Sequence, residues 1–216
     1  MKISTKISIL NAFLLLFFLF WSANIILKTG LIKNFDTTLI NQIYHHNPIT
    51  LNIFIPITNI GDTYETIGIA TIFFIILIAK KYYYAAIYLV LNKVVISGLN
   101  SLIKNLIDRP RPSHHHFVYA GGYSFPSGHS ASSFALYISL LIISLYIFKR
   151  LDLKILISTI CISIVLLIGY SRIFLGVHYP SDVLGGYLLA ATIVTFNTLL
   201  FRTKDLTILQ FKGIKN

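Results

Sequence analysis

Three short stretches bring together residues able to hold or transfer an oxyanion such as a phosphoryl group. "KNLIDRPRP" carries Lys104 and Arg111 seven positions apart, two helical turns, so both cations can share a face at a helix end. Pro110 and Pro112 stop that helix and stiffen the segment beyond it. An ammonium and a guanidinium converging there make an oxyanion clamp, the guanidinium through its two-pronged fork. Standing alone, the stretch also reads as a solvated basic loop touching lipid headgroups. "PSGHS" offers Ser127 as an N-cap, and Gly128 where a ligand can approach the backbone. It also places His129 in the first helical turn, where free amides and the helix dipole favour an anion and an imidazole could exchange a proton with it. "SRIFLGVHYPSD" ends one apolar run at Arg172 and starts another at Pro180. Its Asp182 lies four residues after His178, where a carboxylate can fix the imidazole tautomer and raise its basicity. Alone, that stretch also reads as an ordinary interfacial turn.

The elements that must position these residues are apolar helices. The chain has 216 residues, 56% hydrophobic and 12% charged, with a mean hydropathy of +0.77. Soluble domains carry about 25% charged residues, so the composition predicts an all-α, polytopic membrane protein. A span needs about 20 mostly apolar residues. Six runs qualify, at about 7–27, 57–79, 82–106, 127–148, 153–173 and 182–201. The first is too long for a signal-peptide core and has no small-residue cleavage site, so it reads as a retained span. Residues 31–50 read as a short amphipathic helix on the membrane surface. There is no repeat and no linker, and 1–216 reads as one membrane-embedded domain.

The 18 Lys and Arg outnumber the 7 Asp and Glu. They are scattered over short loops, which fits positive-inside topology and anionic lipids and argues against nucleic-acid binding. With six spans, eleven of the cations fall on the side of both termini and six on the other, Lys93 lying within a span. That bias predicts cytoplasmic termini, with the loops at 108–126 and 172–181 facing outward. Lys93 and Glu65 sit at similar depth on neighbouring antiparallel helices, which suggests an ion pair. The alternative is that Lys93 snorkels and Glu65 lies at the outer surface. Cys161, inside an apolar run, reads as a small hydrophobe. The histidines at 114–116 read as the rim of a flexible loop ahead of a metal site.

Taken together, the pattern K-x(6)-R-P, P-S-G-H and S-R-x(5)-H-x(3)-D, in this order and on one membrane face, resembles the type 2 phosphatidic acid phosphatase family. Every motif position matches: Lys104, Arg111 and Pro112; Pro126, Ser127, Gly128 and His129; Ser171, Arg172, His178 and Asp182. The family also contains soluble vanadium haloperoxidases, and six spans look like its integral-membrane lipid phosphatase branch. The resemblance implies that His178 attacks phosphorus to form a phosphohistidine while Asp182 orients it. It implies that His129 protonates the leaving oxygen and that water then releases phosphate. Lys104, Arg111 and Arg172, with the Ser127 hydroxyl and Gly128 amide, would hold the phosphoryl oxygens. Asp108 and Arg109 are extra to the motif and are assigned to loop structure or headgroup contact. No carboxylate cluster suited to Mg²⁺ is present, so no metal or other cofactor is expected.

The leading substrate is undecaprenyl diphosphate in the outer leaflet, followed by phosphatidylglycerol phosphate and phosphatidic acid. A lipid phosphotransferase would share every motif. A transporter with a basic vestibule is the non-enzymatic rival, but it should show midplane polar residues or inverted repeats. Apart from Lys93, the charges here sit at helix ends.

Overall fold

The computed structural model describes residues 3–203, and all regular structure there is helical. Eight helices run in order: α1 Ile3–Ile26, α2 Gly30–Ile43, α3 Pro48–Asn59, α4 Thr63–Ala79, α5 Tyr83–Ile107, α6 Gly128–Ile147, α7 Leu151–Phe174 and α8 Pro180–Thr203. At about 1.5 Å per residue, helices of 20 residues or more reach across a hydrocarbon layer of about 30 Å. Five helices qualify as spans by length and composition, and α3 with α4 forms a sixth, bent by 51°. All six predicted runs are thus found. The second, predicted as one helix from 57 to 79, is two pieces parted at Ile60–Asp62.

The bundle centres on α6, which packs against α5, α7 and α8, while α1 lies along α8 and α4 along α5. Half of the buried residues of α6 are small: Ser130, Ala131, Ser133, Ala135 and Ser139. Small side chains let helix backbones approach closely where lipid supplies no hydrophobic drive between helices. Polar pairs tie the interior: Tyr88 with Thr198 at 2.8 Å, and Asn197 donating to Asn92 at 2.9 Å. Large apolar side chains on the outside of α1, α4 and α7, such as Phe13, Leu16, Ile72, Ile75, Ile155 and Leu166, are exposed. That is the surface acyl chains would cover.

Two expectations change here. The amphipathic stretch at 31–50 is helical only to Ile43, and Asn47 then caps α3 in a capping box with Thr50. Helix α2 rests on the bundle with Ile32 and Asp36, one turn apart, both buried. Lys93 does not pair with Glu65. Its amine donates to the hydroxyls of Thr66, at 2.6 Å, and of Ser132, so it ties α4 and α6 to α5. Glu65, one residue before Thr66, turns away and is exposed.

Candidate active site

The three motif stretches meet at one end of the bundle, where α5 and α7 finish and α6 and α8 begin. Backbone bonds join them: the Ser127 amide donates to Asp182 O at 3.0 Å, and the Ser124 amide to Arg109 O at 2.8 Å.

His178 sits in the turn between α7 and α8 and is 3% exposed. Its Nδ1 faces Asp182 Oδ2 at 3.4 Å, and its Nε2 lies 3.2 Å from Arg111 Nη1. A guanidinium can only donate, so Nε2 must carry the lone pair and Nδ1 the proton that points at the carboxylate. Burial, with Arg172, Lys104 and Arg111 nearby, holds this imidazole well below its ordinary pKa. A buried, neutral, oriented imidazole with its lone pair on Nε2 is the form a nucleophile needs.

Asp182 is fully buried. Its Oδ2 also accepts the Tyr179 amide at 2.9 Å, and its Oδ1 accepts Arg109 Nη1 at 2.6 Å. Arg109 continues to Asp36 Oδ2 at 2.7 Å and stacks 4.1 Å over the Tyr179 ring. Asp36 in turn accepts the amide and hydroxyl of Ser181, each at 2.8 Å. Burial works against the Arg109 charge, but Asp182 and Asp36 outweigh it and raise the pKa above its ordinary value. The assignment of Arg109 to a loop or headgroup role therefore changes: it clamps the carboxylate that orients His178.

The cations close over the other side. Arg111 is fixed by Gly122 O at 3.0 Å, Gly121 O at 2.7 Å and Val177 O at 2.7 Å. Burial lowers its pKa, partly offset by Asp182. Lys104 donates to Tyr123 O at 2.7 Å. A Cβ on Gly128 would lie 3.3 Å from Asn100 Oδ1 and 4.0 Å from Lys104 Cε, so only a bare backbone leaves that approach open. Arg172 is 3% exposed. Its Nη1 donates to Thr58 Oγ1 at 2.7 Å, while its buried Nε has no partner among the described residues. Ser127 caps α6 as the sequence indicates, its Oγ accepting from the Ser130 hydroxyl at 2.9 Å. It is fully buried, which leaves only its own hydroxyl proton to offer an anion.

His129, in the first turn of α6, bonds through Nε2 to Asp62 Oδ1 at 2.5 Å. Asp62 is the residue before α4, yet its side chain makes no capping bond. A cap of that type stabilises a helix by about 1 kcal/mol, so the carboxylate forgoes a favourable position. A cavity of about 190 Å³ opens beside His129, lined also by Gly61, Lys93, Asn100 and Ser132.

All eight residues singled out by spacing thus come to one end of the bundle. Asp36, Thr58, Asp62 and the clamping role of Arg109 were missed. The signals for them were thin: Asp36 stands one turn after Ile32 on the buried face of α2, and Asp62 stands at a helix start. The 114–116 histidines brace the loop between α5 and α6 against an aromatic cluster. His114 lies 5.0 Å from the Tyr44 ring, His115 4.7 Å from Phe117, and His116 bonds Pro112 O at 2.9 Å. Among the described residues, no three His, Cys, Asp or Glu side chains converge as a metal site would require.

Residues 81–205 match the PAP2 superfamily. The chain is 32% identical over 178 residues to undecaprenyl-diphosphatase BcrC of Bacillus subtilis, covering 77% of this chain and 81% of that one. It is 38% identical over 93 residues to phosphatidylglycerophosphatase B of the same organism, covering 41% of this chain and 44%, under half, of that relative. Its fold is similar to the crystal structure of a transmembrane PAP2 type phosphatidylglycerolphosphate phosphatase from Bacillus subtilis. That match has a TM-score of 0.77 and 26% identity, covering 91% of this chain and 97% of the other.

Proposed function

This chain belongs to the PAP2 superfamily, and we propose that it is a membrane lipid phosphatase working through a phosphohistidine on His178. The observation that carries the reading is the charge around His178. Lys104, Arg111 and Arg172 all act on it, while Asp182 is already committed to Arg109. Buried cations without matching anions are costly; a phosphoryl group supplies the missing negative charge and would meet the partnerless Nε of Arg172.

The chemistry comes out of the arrangement. Nε2 of His178 attacks phosphorus while Asp182 accepts from Nδ1–H and stabilises the cation that forms. The cations, with the Gly128 amide and Ser127 hydroxyl, spread the charge that builds on the equatorial oxygens. His129 gives a proton to the leaving oxygen, the P–O bond breaks, and water then attacks the phosphohistidine. Each step uses groups of the chain itself, without a metal.

Undecaprenyl diphosphate, presented at the outer leaflet, is the leading substrate, supported by the likeness to BcrC over most of both chains. Phosphatidylglycerol phosphate is the second reading, favoured by the structural match over nearly the whole chain. Purified protein in detergent should release phosphate from one of these lipids far faster than from the other, and should do so in EDTA. His178→Ala should lower that rate by more than about 10³-fold. Full activity in that variant would overturn the nucleophile assignment, and loss of activity in EDTA restored by Mg²⁺ would overturn the metal-free step.

A further inference from the structure

Asp62 lies outside every motif stretch, yet its carboxylate is spent on His129 instead of on the end of its own helix. We propose that Asp62 is a positioning residue for the leaving-group acid: its contact with Nε2 of His129 fixes the ring and sustains its protonated form. The inference rests on the phosphatase reading above.

The need for such a partner is electrostatic. His129 is partly buried among cations: Arg172 of α7, Arg111 of the loop after α5, and Lys104 and Lys93 of α5. An imidazolium held among cations needs an adjacent anion to keep its charge. Asp62 is the carboxylate in contact with it, 2.5 Å from Nε2.

The local backbone is built for this contact. Gly61 precedes Asp62 where the second span breaks, and a Cβ there would lie 2.6 Å from Ile168 Cγ2 and 3.3 Å from His129 Cδ2. Only a glycine lets the break close onto the imidazole.

The proton path balances. The bond from Nε2–H to Asp62 leaves Nδ1–H as the proton to be given. As the P–O bond breaks, its electron pair stays on the leaving oxygen, which takes the Nδ1 proton, and the imidazole ends neutral with its Nε2 proton still on Asp62. In the second half-reaction, Nδ1 takes a proton from the attacking water, the N–P bond to His178 breaks with its pair returning to Nε2, and the imidazolium is restored. Asp62 changes no bond in either half.

A substrate panel of graded leaving groups tests this. Departure of an alkoxide from a lipid phosphomonoester needs the acid; departure of a nitrophenolate from p-nitrophenyl phosphate does not. Asp62→Asn should lower kcat on the alkyl phosphate by on the order of 10²-fold, with KM little changed, and should affect the aryl phosphate much less. Asp62→Glu should recover part of the loss. In a His129→Ala background, Asp62→Asn should cost nothing further, because both changes remove one function. Equal losses on both substrates, or additive losses in the double variant, would overturn the proposal and make Asp62 a structural or phosphate-facing group. A second measurement does not depend on turnover. The Nε2–H resonance of His129 in the ¹⁵N-labelled protein in detergent should be shifted downfield and lose that shift in Asp62→Asn. An unmoved resonance would overturn the contact even if the protein hydrolysed no lipid phosphate, an outcome that would count against the phosphatase reading alone.

Discussion

As the proposed nucleophile, His178 has two demands to meet: it must be buried to be dry and oriented, and unprotonated to attack. Burial and the surrounding cations meet both by disfavouring its charged form. The unfolded chain takes up that proton near the ordinary histidine pKa of about 6.5, whereas the folded chain does so only at distinctly lower pH. Stability from this residue is therefore fully present above about 6.5 and is lost as pH falls through the window below it, where the unfolded state binds the extra proton. A ¹⁵N-histidine titration in detergent, with His178 assigned by its absence in His178→Ala, should show a neutral ring through pH 6. A normal midpoint near 6.5 would mean that the cations do not crowd it.

At this scale much of the site was legible in the sequence, and the reason is geometric. Lys104 with Arg111, Ser127 to His129, and His178 with Asp182 are each close in sequence, so a helix end and the few residues beside it bring them together even though Arg111 and His178 lie outside the helices. Their partners Asp36, Thr58 and Asp62 come from segments joined to the site only by tertiary packing. Nothing in the neighbouring sequence tells a clamping aspartate from a surface one.

Among the elements, the break between α3 and α4 is where sequence reading fell short. The run from 57 to 79 is interrupted early by Gly61, Asp62 and Glu65 yet reads as one span, because the turn at 60–62 is fixed by packing, with Ile168 and His129 close against Gly61. The pairing expected from depth alone was off by one residue because depth does not fix the helix face: on α4 it is Thr66, about 100° round from Glu65, that faces Lys93. Gly61→Ala should therefore lower the melting temperature in detergent, since overpacking a filled core costs about 1–3 kcal/mol. That corresponds to several degrees at about 2–4 °C per kcal/mol for a chain of this size. It should also reduce phosphatase activity by moving His129. Gly68→Ala, within α4 and with nothing within 4 Å of the added Cβ, should do neither. Equal behaviour of the two variants would show that the break is not held by this contact.

For the whole molecule, the open matter is which way the bundle faces. Of the outer-side cations expected from the span count, Lys104, Arg109, Arg111 and Arg172 are engaged at the site by carbonyls, hydroxyls or carboxylates. Only Lys28 and Lys33 of that group lie apart from it. On the other side, Lys6, Lys80, Lys81, Lys149, Arg150, Lys154 and Arg202 stand away from the site, while Lys2, Lys204, Lys212 and Lys215 lie outside the described residues. Once cations held by chemistry are set aside, the positive-inside bias is steeper than the raw count suggests. We propose on this ground that the site opens away from the cytoplasm, where it would meet an undecaprenyl diphosphate of the outer leaflet. Cys161 is the single cysteine and is buried, so Cys161→Ser gives a clean background for one introduced thiol at a time. In intact cells, a membrane-impermeant maleimide should label Ser113→Cys, in the exposed loop after Arg111, and should reach Lys149→Cys only after permeabilisation. The reverse pattern would turn the site toward the cytoplasm and favour a phosphatidylglycerol phosphate made on that side.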